Sequence, residues 1–236
     1  MAKIDLFASI GGNSDFIERV KSPSPEEIRT EWLLQRRGKF TASEFHRLLA
    51  YPAKNELPAG AKTYCLEKAV EMLTEMDESE SFVSYDMQWG IKNELGAIKA
   101  FSEATGHIVT NAGHEQNFIM LGDDVGCTPD GLIGLRSAVE VKCPKSKTHF
   151  KYKMIRCAAE LKVECPDYYW QIMGSLYVTG RDSWYFISFD PRYHDPKHQL
   201  HYFLIERNEY DIAFLNERIF MAIVYRNYLL KEFRGY

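Results

Sequence analysis

The segment CTPDGLIGLRSAVEVKCP, residues 127–144, constrains the fold more than any other part of the chain. Its apolar run AVEVK follows a Gly-containing turn and reads as a short strand. Side chains alternate faces along a strand, so Glu140 and Lys142 point the same way while Ala138, Val139 and Val141 fill in around them. A carboxylate and an ammonium on one face of a Val-rich strand are an odd choice for a core. Either they sit at a solvated edge, or they do chemistry.

The rest of the chain supports a sheet with helices around it. Its 236 residues are 45% hydrophobic and 26% charged, which is the composition of an ordinary soluble globular protein, and one domain over 1–236 is expected. No apolar run approaches the ~18 residues that span a bilayer. The start, MAKIDLFASIGG, lacks the layout of a secretory signal, so the expected location is cytoplasmic with no membrane attachment. Five cysteines without a CxxC pair argue against a disulfide framework and a zinc knuckle, and they read as buried or inert thiols.

Capping and periodicity place the elements. Ser24-Pro25-Glu26-Glu27 opens a helix to about Arg36, and Thr41-Ala42-Ser43-Glu44 carries a capping-box signature for a second helix ending near Tyr51-Pro52. Further helices are expected at 61–76 and 86–105, the latter stopped by Gly106. The segments HIVTNA, NFIML, the DGLIG turn and AVEVK read as short strands. A basic helix near 146–160, a helix from Asp167 to Thr179, strands 183–190 and 201–207, and a final helix over 209–231 complete a mixed α/β domain.

Charge is distributed unevenly under a net −4. Acids crowd residues 71–80, while 142–157 hold Lys142, Lys145, Lys147, Lys151, Lys153 and Arg156 without an acid. Such a run is a solvated face or a nucleic-acid contact.

Asp130, Glu140 and Lys142 call for a common explanation. Converging carboxylates repel unless a cation neutralises them, and oxygen ligands favour Mg²⁺ or Mn²⁺. Ions held this way clamp the attacking and leaving oxygens of a phosphodiester displacement. Pro-Asp, nine residues, then Glu-Val-Lys is the order and approximate spacing of the PD-(D/E)XK nuclease signature. Glu94 stands in a helix otherwise faced by Trp89, Ile91, Leu95, Ile98 and Phe101; it is a solvated Glu or an additional acid aimed at the metals. Gln171 lies among Tyr169, Trp170, Ile172 and Met173, a costly place for an amide without a partner. Arg36 beside a capped helix start offers a phosphate site, or is a plain helix-end cation.

The segments RRGKFTASE, QWGIKNELGA, CTPDG followed by VEVKCP, YYWQIMGSLYVTGRDSWYF, DPR and HYFLIER stand in this order over about residues 32–207. They resemble the phage alkaline exonucleases of the lambda exonuclease type, the YqaJ-like viral recombinases. That resemblance implies a restriction-endonuclease-like PD-(D/E)XK core: a central mixed β-sheet flanked by helices, with a helical N-terminal part. It implies Asp130, Glu140 and the Val141 carbonyl as ligands of two Mg²⁺ ions (or Mn²⁺), Lys142 positioning the nucleophilic water, and Glu94 acting on the metal shell. Arg36, Ser43, Thr128 and Gln171 match a pocket for a terminal 5′ phosphate, and Met87 matches an apolar wedge between separating strands. Lys54 stands next to Ala53, where the family has a minor-groove arginine, and Lys145 and Lys147 would contact DNA.

The implied activity is 5′-to-3′ degradation of one strand of duplex DNA, leaving a 3′ overhang. A homotrimeric ring around DNA ends and a single-strand annealing protein as partner come with it. Two alternatives stand beside this reading: an endonuclease or junction resolvase on the same core, and a catalytically inactive DNA-binding accessory. Scattered cysteines hold an iron–sulfur cluster in some nucleases, and spacing alone leaves that open too.

Overall fold

The computed structural model describes residues 25–49, 56–75 and 84–235. The chain divides into two units, Met1–Leu34 and Gln35–Tyr236. The described part of the first is helix α1 (Pro25–Arg36) up to Leu34. Its expected cap, Ser24, lies outside the described residues, as do Ala53 and Lys54.

The second unit carries all the described candidate site residues. Its strands form two sheets. In the smaller one, β1 (Phe40–Thr41) runs parallel to β3 (Val125–Cys127), which pairs antiparallel with β2 (Ile119–Leu121). The central mixed sheet has the order β4 (Gly131–Ile133), β5 (Ser137–Lys142), β6 (Ser183–Phe189), β7 (Leu200–Glu206). Strands β5 and β6 are parallel, and the crossover between them holds α4 (Ser146–Tyr152), α5 (Ala158–Glu164) and α6 (Pro166–Thr179). The basic helix expected near 146–160 is therefore two short helices. HIVTNA contributes only a bridge between Thr110 and Leu132.

Alternation along β5 sorts its residues between two cores. Ala138 packs with Trp184 and Phe186 against Ile172, Met173 and Leu176 of α6. Val139 and Val141 pack with Ile187 and Phe189 against Ala97, Ile98 and Phe101 of α3 (Tyr85–Thr105). Helix α3 is capped by the Ser84 hydroxyl and ends at Gly106, whose φ of 75° is the left-handed turn expected there. Glu140 shares the Ala138 face, so strand geometry sends it toward α6. A third core joins the small sheet, α2 (Ala59–Glu71) and α7 (Glu209–Arg234).

The expected helix after Thr41 takes a different form. Residues Ala42–Leu48 wind as a 3₁₀ helix, and Thr41 makes no capping bond to it; its hydroxyl lies 3.3 Å from Ser43 Oγ instead. The cause is tertiary. Phe45 and Ala42 are driven onto α6 at Gly174, where an added Cβ would stand 2.3 Å from the Phe45 ring. That close approach fixes where Ser43 points. Gly174→Ala should cost about 1–3 kcal/mol by overpacking, measurable by denaturant unfolding; unchanged stability would show that the two elements do not meet there.

The acidic run 71–80 is not a uniform outward face. Residues 76–80 lie outside the described set. Glu71 is half-buried, accepting from the Gly38 N–H at 2.8 Å and from Lys68 at 2.7 Å. Among the described residues no helix is long and apolar enough to cross a membrane.

Candidate active site

The β4–β5 hairpin builds the centre of the site. Its register pairs Gly131 with Val139, so the next residues along the two strands are Asp130 and Glu140. The Val141 N–H donates to Asp130 Oδ2 at 2.6 Å, which locks the loop carboxylate against the strand. Glu140 is 2% exposed. Its Oε1 accepts from Lys142 Nζ at 2.6 Å and from the Gln171 amide at 2.7 Å, and Lys142 also reaches Gln171 Oε1 at 3.4 Å. Lys142 lies 4.5 Å from the Tyr168 ring centroid, over its face, where the π cloud favours a cation.

Glu94 enters from α3. Its Oε1 accepts from Gln116 Nε2 at 2.7 Å, and the same amide nitrogen lies 3.4 Å from the Asp130 carbonyl oxygen. Asp130 is pushed well above the usual carboxylate range by burial and then by the charge of Glu140. Burial and Glu140 raise Glu94 in the same way. Burial alone would lower Lys142, but the charges of Glu140 and Asp130 outweigh it and hold the side chain as ammonium. One lysine thus faces three carboxylates.

Arg36, Ser43 and Thr128 form a second cluster. The guanidinium donates to Thr128 Oγ1 at 3.1 Å and to Ser43 Oγ at 3.2 Å, and it lies near the Phe118 ring. Burial lowers its pKa, outweighing the through-space attraction of Tyr64, Cys127, Glu44 and Glu71. A guanidinium fork held by two hydroxyls has the geometry to bond two oxygens of a phosphate. Phe118 in turn crosses Gly126, where any Cβ would stand 2.2 Å from the ring. Only glycine lets that ring lie under Arg36.

Of the expected residues, the structure gathers Asp130, Glu140, Lys142, Gln171 and Glu94 at one place. It gathers Arg36, Ser43 and Thr128 at another. Gln171, expected with the phosphate group, bonds to Glu140 and Lys142 instead. Cys127, buried beside both clusters, is held as a neutral thiol, because burial pushes its pKa up to about 12. Met87, in the first turn of α3, is 51% exposed. Lys145 is exposed but ion-paired to Asp86 at 2.9 Å, and Lys147 is exposed. All five cysteines are free thiols; Cys65, Cys127 and Cys143 are buried, whereas Cys157 is exposed.

Gln116 and Tyr168 carry no signal in the sequence. Gln116 stands in a polar loop and Tyr168 in an aromatic run, and only the fold brings them to Glu94 and Lys142.

The oxygen donors suit a hard divalent cation. Glu140 Oε2 is buried and has no hydrogen-bond partner, which is costly for a carboxylate oxygen unless a cation meets it. Asp130 and Glu94 stand beside it, and burial with the charge of Glu140 raises the pKa of both, a cost that a cation would relieve. Among the described residues no three His, Cys, Asp or Glu side chains close a ready-made cage, so Asp130, Glu140 and a backbone oxygen such as Val141 form the donor set that fits.

Fold and site together define a PD-(D/E)XK nuclease. Residues 31–182 match the YqaJ-like viral recombinase domain, and the chain belongs to that family. An alkaline exonuclease from Laribacter hongkongensis, LHK-Exo, superposes with a TM-score of 0.71 at 26% identity, over 87% of this chain and 96% of that one. It has also been solved in complex with dAMP. A phage-related exonuclease from Haemophilus somnus 129PT shares the fold at TM-score 0.66 and 17% identity, over 83% of this chain and 96% of its own. An uncharacterised Escherichia coli K12 protein, ExoD, is 43% identical over 49 residues, 21% of this chain. That match spans about half of ExoD's length, 54%.

Proposed function

We propose that this chain is a divalent-metal-dependent exonuclease that degrades one strand of linear duplex DNA from its 5′ end. It would leave a 3′ overhang for phage-type recombination by single-strand annealing. One observation carries the reading: the Arg36–Ser43–Thr128 cluster and the Asp130–Glu140–Lys142 cluster are joined by the chain itself. Thr128 and Asp130 are two residues apart, and two extended residues reach at most ~7 Å. A terminal phosphate held by Arg36 would therefore present the nearby phosphodiester linkages to Asp130. A resolvase, which works within a duplex, has no need of such an anchor.

In this reading Asp130, Glu140 and the Val141 carbonyl hold two Mg²⁺ ions, with Mn²⁺ as a substitute. When bound, these supply a Lewis acid and an activated water. Lys142, kept as ammonium by Glu140 and Asp130, orients the attacking oxygen and faces the charge that builds on the phosphate. Gln171 and Lys142 hold Glu140 Oε1, which would leave Oε2 to meet a cation. Glu94 adds negative charge beside Asp130. Met87 and the lysines at 145 and 147 are proposed DNA contacts, and Lys54 is a further one in the segment outside the described residues. The dAMP bound by the Laribacter enzyme is the kind of mononucleotide that stepwise digestion releases.

The family resemblance further suggests a single nuclease domain assembled as a homotrimeric ring in the cytoplasm, partnered by a single-strand annealing protein. Light scattering should then report about three times the 27.4 kDa chain mass. The activity is tested with linear duplexes labelled at either end, using a circular duplex as control. Early release of 5′ label, with the circle intact, is expected. Cleavage of the circle at a similar rate would favour the endonuclease.

A further inference from the structure

We propose that Gln116 is a positioning residue for the metal centre: the turn it ends clamps Glu94 and thereby sets the affinity of the site for a divalent cation. The inference rests on the reading of Asp130 and Glu140 as metal ligands, and concerns a residue outside that set.

Glu94 is the least secured of the three carboxylates. It comes from a helix rather than from the hairpin, it is half-buried, and burial together with the charge of Glu140 penalises its ionised form. Without donors to hold it, a side chain on a helix edge is free to rotate toward solvent. Two donors from one short turn prevent that. Gln116 Nε2 bonds Glu94 Oε1 at 2.7 Å, and the Gly113 N–H supports the same carboxylate. Gln116 also reaches the Asp130 carbonyl at 3.4 Å, so one amide links the helix acid to the loop carrying the hairpin acid.

The turn itself is held. Gly113 has a φ of 60°, which favours glycine, and a Cβ there would stand 3.0 Å from Leu95 Cδ2. Leu95 directly follows Glu94 on α3, so the turn packs on the same helical stretch that it clamps. A neutral amide suits this role. A lysine would compete with the cation for Glu94, and a carboxylate would repel it. Outer partners of metal-binding carboxylates commonly govern affinity by about 10–100-fold.

The test is Mn²⁺ titration by calorimetry on the full chain, compared across wild type, Gln116→Leu, Gln116→Met and Glu94→Gln. Both Gln116 variants fill the same space without a donor, so at least one is expected to fold. Each should weaken Mn²⁺ binding by about 10–100-fold, while the melting temperature without metal stays within a few degrees of wild type. The double variant Glu94→Gln/Gln116→Leu should bind no more weakly than Glu94→Gln alone, because a neutral amide at 94 offers the cation no charge for the clamp to position. Wild-type Mn²⁺ affinity in both Gln116 variants, or additive losses in the double variant, would overturn the proposal. Failure of the end-labelled digestion would remove the exonuclease reading and leave this result standing. A wild-type chain that binds no Mn²⁺ at millimolar concentration would overturn both.

Discussion

Asp130→Asn should abolish nearly all cleavage of linear duplex and, in the absence of metal, melt at a higher temperature than wild type. The two halves have one cause. Burial and the charge of Glu140 hold the Asp130 pKa well above its ordinary value. The folded state then binds a proton more tightly than the unfolded state does, so stability falls as pH rises from the unfolded toward the folded pKa. Above that window the ionised carboxylate is a standing cost to the fold. Asparagine removes the charge and keeps an oxygen to accept from the Val141 N–H. If ~1 kcal/mol of repulsion is relieved, the melting temperature rises by about 2–4 °C in a domain of this size.

Catalysis moves the other way. Removing one preorganised charge from a site of this kind costs about 10²–10³ in rate. Glu140→Gln should lose at least as much, since it removes the buried oxygen that has no other partner. Lys142→Ala should lower the rate more than the metal affinity, and it should also destabilise the protein by leaving Glu140 buried beside Asp130 without its cation. Mg²⁺ should raise the melting temperature of wild type but not that of Asp130→Asn. Wild-type cleavage by Asp130→Asn would sink the metal-site assignment.

Arg36→Ala should slow digestion of 5′-phosphorylated duplex strongly and that of 5′-hydroxyl duplex little. A terminal phosphate carries up to two charges, and a guanidinium fork bonds two of its oxygens at once. The fork at Arg36 is already oriented by Ser43 and Thr128, at 3.2 and 3.1 Å. Hydrogen bonds to charged groups contribute about 1.5–3 kcal/mol, so the preference between the two substrates should shrink by one to two orders of magnitude. Arg36→Lys should recover only part of it, because the charge returns without the fork. Equal slowing of both substrates would mean that Arg36 does not sense the phosphate, and the exonuclease would lose its principal physical support over the endonuclease.

What the sequence determined by itself is the part governed by short range. Strand alternation alone puts Glu140 and Lys142 on one side of AVEVK, and they bond at 2.6 Å. The hairpin turn places Asp130 opposite Glu140, because register follows from loop length. The helix end at Gly106 was legible for the same reason, since a left-handed residue stops a helix locally. The sequence also marked Gln171 as a buried amide in need of a partner, though it did not say which one. Only the fold decided that the partner is Glu140, 31 residues away. Only the fold joined Arg36 to Thr128 across 92 residues and brought Gln116 to Glu94. At Thr41 the tertiary structure overrode the local signal: the capping pattern was present, but Phe45 packing into the space above Gly174 wound the segment as a 3₁₀ helix. Local rules act through covalent spacing, which a sequence states directly. The anion pocket and the Glu94 clamp depend on which surfaces remain close once the cores are filled, and that is fixed by packing over the whole unit.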